Sequence, residues 1–188
     1  MSRTTIRNLR GRGARGTGRG NIDGTTLSVV NAQRRLPVNR TQMTRLLGRA
    51  LQHLRIRPPG AFTITFIDAD QMRQLNKQFC HHDRVTDVLS FRYDGEPIIG
   101  EIVIAPAAAR AYANAHGLRY EDELSRYVIH GLLHWIGHDD RTPAQQRTMR
   151  ALEDRLLAQC DGGGRGRETG GEGKRLLSRA PRPAPRAP

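Results

Sequence analysis

His130-Gly131-Leu132-Leu133-His134-Trp135-Ile136-Gly137-His138-Asp139-Asp140 is the stretch on which the reading of this chain turns. His130 and His134 are four residues apart. On a helix they lie on one face, one turn above the other. That spacing lets two imidazoles grip one metal ion, as in the His-Glu-x-x-His zinc helices. Gly137 can end the helix by taking a left-handed conformation. The chain then turns back and can bring His138 or Asp140 toward the same ion. Three protein ligands with one open position suit a catalytic zinc, whereas a closed set of four suits a structural one.

The residues upstream predict a helix over 120–137. Leu124, Tyr127, Val128, Leu132 and Trp135 recur at three- and four-residue steps and form an apolar face. Ile129, Leu133 and Ile136 widen that face until the helix is nearly all buried. His130 and His134 are then polar groups in an apolar helix, and such groups need partners. Hydrogen-bonded core histidines are the bland alternative; the glycine stop followed by His-Asp-Asp favours a metal. Zinc proteases place a glutamate general base directly after the first histidine. Here that position is Gly131, which argues against a peptidase.

Outward from this helix, a single α/β (α+β) domain is expected over 25–160. Its small mixed sheet has about four strands, packed with four or five helices, one of which carries the metal site. Strands are predicted at 27–31, 62–67, 88–91 and 101–104, where apolar residues alternate or run together. Helices are predicted at 41–54, 69–79, 107–116 and 143–160, the last with Met149, Leu152, Leu156 and Leu157 inward. Asp68 and Thr142 stand as N-caps, and Pro143 fits the first helical position. The segment 80–85 is a polar loop holding Cys80, His81, His82, Asp83 and Arg84.

The charge is uneven. The formal net charge is +13, yet residues 23–160 hold 18 basic and 15 acidic side chains. Residues 1–22 hold six arginines and no acid, and residues 161–188 hold seven basic and three acidic side chains. Residues 1–24 therefore read as a disordered Gly/Arg-rich arm and 161–188 as a disordered basic tail. Gly11, Gly13 and Gly16 match a dinucleotide-binding pattern, but no strand precedes them and no helix pattern follows, so no nucleotide cofactor is expected. Basic arms suit a polyanion through counterion release. Two cysteines, Cys80 and Cys160, make no disulfide framework, which fits a reducing, cytoplasmic location. No apolar run approaches the roughly 20 residues needed to span a membrane.

The sequence resembles the YbeY family of metal-dependent endoribonucleases of ribosomal RNA maturation. Three stretches carry the likeness, in family order across about 25–160. The first is 130–140. The second is Leu75-Asn76, then Asp83, then Thr86-Asp87-Val88-Leu89-Ser90-Phe91. The third is Gly100-Glu101-Ile102-Val103-Ile104. The resemblance implies one zinc held by His130, His134 and a third side chain ten residues after the first histidine. That position is usually histidine in the family and is Asp140 here; a carboxylate is a competent zinc ligand. His138 is the alternative. The family also has an arginine implicated in activity where this chain has Cys80. Arg84, His81 or His82 could stand in for it.

The expected activity is zinc-dependent cleavage of single-stranded RNA, in 16S rRNA 3′-end maturation and ribosome quality control. The partners implied are rRNA and the small ribosomal subunit, with no membrane. Arg84 would stabilise phosphate charge, and Asp83 or Asp87 would orient a ligand or water. The rival expectation is a catalytically weak, metal-stabilised rRNA-binding factor, with Cys80 marking lost chemistry.

Overall fold

The computed structural model describes residues 17–22, 24–57, 60–93 and 98–161. Its order is β1 (Thr17–Ile22), β2 (Thr25–Asn31), α1 (Arg40–His53), β3 (Gly60–Phe66), α2 (Ala69–Cys80), β4 (Val88–Arg92), β5 (Ile98–Ile104), α3 (Pro106–His116), α4 (Tyr120–Trp135) and α5 (Pro143–Asp161). The strands make one mixed sheet in the order β1-β2-β3-β5-β4. The central pairs β2–β3 and β3–β5 are parallel, and the two edge pairs are antiparallel.

Alternation along the strands sorts the core into two layers. Leu27, Val29, Phe62, Ile64, Phe66, Ile102 and Ile104 form one cluster with residues of α1, α4 and α5. Val103 and Ala105 form a smaller one with Ile67 and with Met72 and Leu75 of α2. Each side chain fully removed from water in these layers stabilises the fold by roughly 1.5–3 kcal/mol. The helix starts follow their predicted chemistry. The Asp68 N–H donates to Gln71 Oε1 at 3.3 Å. Thr142 and Gln145 bond reciprocally, at 2.9 and 3.2 Å.

The structure corrects one expectation at the start of the domain. Residues 17–22 fall within the stretch read as a disordered arm, yet they form β1, the fifth strand. Gly18 and Gly20 explain both the misreading and the strand. Glycine disfavours strands, but here it lets β1 lie against α1: a Cβ on Gly18 would meet Thr44 Oγ1 at 3.0 Å, and one on Gly20 would meet Thr44 Cγ2 at 2.9 Å. The rest of the expected arm, 1–16, and the expected tail, 162–188, lie outside the described residues. Among the described residues no helix is long and apolar enough to cross a membrane.

Candidate metal centre

The helix α4 is buried along almost its whole length, as its sequence requires. His130 is 4% exposed and His134 somewhat more open. Their Nε2 atoms are 3.0 Å apart. The other ring nitrogens are anchored. His130 Nδ1 lies 2.8 Å from Glu153 Oε1, and His134 Nδ1 lies 2.9 Å from the main-chain oxygen of His138. A carboxylate and a carbonyl can only accept, so each Nδ1 carries the proton and donates it. Each Nε2 then presents a lone pair toward the other. Two lone pairs at this separation repel unless a cation lies between them.

Asp140 closes the triangle. Its Oδ2 is 3.8 Å from His130 Nε2, and its Oδ1 is 3.7 Å from His134 Nε2. The three ligand atoms lie within 4.8 Å of one another. A tetrahedral zinc with bonds of 2.0–2.1 Å sets its ligand atoms about 3.3 Å apart, so the donor set fits that ion. Burial, and then the neighbouring His130, lower the His134 pKa from its ordinary value. The neutral imidazole this favours is the metal-binding form.

Local chemistry turns Asp140 inward. Gly137 adopts a positive φ of 102°, which glycine tolerates without strain. The N–H of Gly137 donates to the His134 oxygen, and that of His138 to the Leu133 oxygen, each at 3.0 Å. The turn exposes the His138 side chain while its carbonyl anchors His134. His138 thus serves through its backbone, and Asp140, 9% exposed, occupies the third corner.

Behind the cluster stands a partner the sequence reading missed. Glu153 of α5 is 2% exposed. Beyond His130 it binds Arg126, Nη1 to Oε2 at 3.0 Å, and Arg126 also reaches Asp154 at 2.7 Å. The chain Arg126–Glu153–His130 fixes ring orientation and tautomer, as carboxylate–histidine pairs do in zinc sites. The signal was present in the sequence. On α5 the buried positions are Met149, Glu153, Leu156 and Cys160, so Glu153 is a charge on the core stripe.

Gly131 is explained by close packing. A Cβ there would meet Ile102 Cγ2 at 2.5 Å and Val88 Cγ1 at 2.8 Å. Ser90 Oγ also donates to the Gly131 oxygen at 2.8 Å, joining β4 to α4. A glutamate base has no room at this position.

The 81–84 loop is built differently. Buried Asn76 supports it, donating through Nδ2 to the Arg84 oxygen at 2.9 Å and accepting the His82 N–H at 3.3 Å. Asp83 pairs with Arg73 at 2.6 Å and Lys77 at 3.2 Å. These two cations hold its carboxyl below the usual carboxylate range. His81, His82, Asp83 and Arg84 together line an open cavity of about 310 Å³. Burial pushes the Cys80 thiol up from its ordinary value, away from the thiolate that metals and electrophiles need.

Residues 28–161 match the family model described as Endoribonuclease YbeY. An Endoribonuclease YbeY of Flavobacterium psychrophilum is 37% identical over 99 residues, covering 52% of this chain and 71% of the relative. One of Staphylococcus saprophyticus is 31% identical over 127 residues, covering 62% of this chain and 83% of the relative. A solution structure of a Thermotoga maritima protein is 26% identical, with a TM-score of 0.48 over 65% of this chain and 80% of that one.

Proposed function

The chain belongs to the YbeY family of endoribonucleases, and from that membership we propose that it is a zinc-dependent endoribonuclease of single-stranded RNA. Its place of action in this reading is the cytoplasm, on the small ribosomal subunit, in 16S rRNA 3′-end maturation and ribosome quality control. The observation that carries the zinc reading is the pair of anchored histidines, each with Nε2 turned toward Asp140.

His130, His134 and Asp140 would hold the ion. When bound, zinc supplies Lewis acidity that brings the pKa of water to about 7. The chain's own residues do the rest. Glu153 keeps the His130 proton on Nδ1, and the His138 carbonyl does the same for His134. Arg84, on the rim of the open loop cavity, neutralises charge on the phosphate. Asp83 is a positioning residue in this reading, since it holds Arg73 and Lys77 beside that cavity. The half-buried thiol of Cys80 offers no guanidinium fork, so phosphate binding falls to these cations.

The test is zinc content and cleavage of single-stranded RNA by wild type, His134→Ala and Cys80→Arg. About one zinc per chain, with cleavage lost in His134→Ala, supports the proposal. Cleavage that rises in Cys80→Arg identifies position 80 as the limiting part. Stoichiometric zinc without cleavage in the wild type would favour a binding factor, and no bound metal would sink the site.

A further inference from the structure

The segment that forms β1, β2 and α1 and the rest of the domain carry opposite net charge. Residues 17–57 hold eight arginines, no lysine and one acid, whereas residues 58–160 hold eleven basic and fourteen acidic side chains. The metal centre belongs to the second group. A polyanion approaching the domain meets net positive charge on the segment that forms β1, β2 and α1, and a small net negative balance over the remainder of the domain.

That segment is one continuous edge. β1 is the strand at the far side of the sheet from β4, and β4 packs on the metal helix. Arg19, Arg34, Arg35, Arg45, Arg55 and Arg57 are exposed on the strand, the helix and the loops at both ends of the helix. Gly18, Arg19, Gly20, Thr41, Thr44 and Arg45 line a cavity of about 310 Å³ where β1 crosses α1. On the opposite face of β1–β2, Arg19 pairs with Ser28 and Asn21 with Thr26, a polar strip.

We propose that the β1–β2–α1 edge is a nucleic-acid surface that holds the sugar–phosphate backbone of RNA while another part of the strand reaches the metal centre. The inference rests on the endoribonuclease reading and assigns it a substrate anchor away from the zinc ligands. Three observations favour RNA over an acidic protein. Every cation is arginine, whose fork matches phosphate bidentately. Among the described residues the exposed large apolar side chain is Val85, outside this edge, so the patch lacks the apolar anchor of a protein interface. Its polar strip holds no aromatic ring, so it grips phosphate rather than stacking bases.

The experiment uses the full chain freed of metal with EDTA, so that binding is read without cleavage. Affinity for a single-stranded RNA is measured against salt for wild type and for the variant R19Q/R34Q/R35Q/R45Q. Four lost phosphate contacts make the log–log salt slope about 3 shallower, at about 0.7 per contact. Affinity at low salt falls about tenfold or more, while zinc stoichiometry, measured on the variant before chelation, matches wild type. An unchanged slope and affinity in the variant would overturn the proposal and leave the binding to other residues. Poly-glutamate that binds wild type as well as RNA does would overturn it in favour of an acidic protein. Failure of the function reading looks different: RNA is bound with the expected slope, and the zinc-loaded wild type does not cleave it.

Discussion

Two histidine-bearing regions of this chain invite the same reading and are built in opposite ways. The cluster at His130, His134 and Asp140 sits on a buried helix, with each imidazole Nδ1 tied to an acceptor. The 81–84 loop also offers two histidines and an aspartate within four residues. There His81 is exposed at a left-handed φ of 58°, and Asp83 is 48% exposed and held by Arg73 and Lys77. Residue type does not separate the two. His82 Nδ1 is held by the Cys80 oxygen, but His81 and Asp83 face solvent, so what separates the regions is whether the whole set is buried and ordered before an ion arrives. Ordering costs entropy, up to about 2 kcal/mol for a long side chain. In the cluster, folding has already met that cost.

The largest expected effect comes from removing the anchor. Glu153→Ala leaves buried His130 without its carboxylate and half-buried Arg126 with Asp154 alone. Breaking a buried charged pair costs about 3–5 kcal/mol of stability. Loss of such a support weakens metal affinity about 10–100-fold. Urea unfolding and competition against a zinc chelator measure the two separately. Glu153→Gln keeps an acceptor for the Nδ1 proton and removes only the charge, so it should recover most of the stability and only part of the affinity. If Glu153→Ala binds zinc as wild type does, order in the cluster is not what makes it a site.

Glu153 also shows where the sequence was legible and where it was not. The stretch 130–140 carries its helix and its glycine stop in local chemistry, whereas the choice between His138 and Asp140 for the third position stays open there and leans on Asp140 only through the family resemblance. Glu153 lies 23 residues from His130 and is brought to it by the packing of α5 on α4. A charged residue on an apolar stripe is the available local signal, and by itself it names no partner. β1 was missed for a related reason. Gly18 and Gly20 lower local strand preference, and their value appears only when α1 lies against them. The fold class followed from local periodicity; long-range partners did not.

A smaller effect tests the backing of the metal helix. Gly131→Ala gains about 1 kcal/mol of helix propensity. Its Cβ, however, would press on core atoms of Ile102 and Val88 at 2.5 and 2.8 Å. Overpacking of that kind costs about 1–3 kcal/mol, so net destabilisation is expected in urea or thermal unfolding. A more stable variant would mean that α4 can move off the sheet without harm. Smaller again is Tyr120→Phe at the other end of α4. It removes a hydrogen bond from the phenol to the Pro37 oxygen at 3.0 Å, about 1 kcal/mol. Burial pushes the Tyr120 pKa from 10 up to about 12. The folded state therefore holds this proton after the unfolded state has released it. Stability tied to Tyr120 is full below pH 10 and is lost as the pH rises toward 12. The phenylalanine variant lacks that decline, so the stability gap between the two proteins narrows across this window.

The smallest expected effect is none, and it is the sharpest test of the contrast between the two regions. The double variant His81→Asn/His82→Ala removes both loop imidazoles. Asparagine is chosen at 81 because it tolerates the left-handed backbone there. If only preorganised side chains bind the ion, zinc stoichiometry and affinity match wild type. RNA affinity at neutral pH changes little, because Arg84, Arg73 and Lys77 keep their charge. A fall in zinc affinity would break the contrast: the loop would then donate a histidine ligand from the surface, and the ion's open position would be closed by the protein rather than left for water.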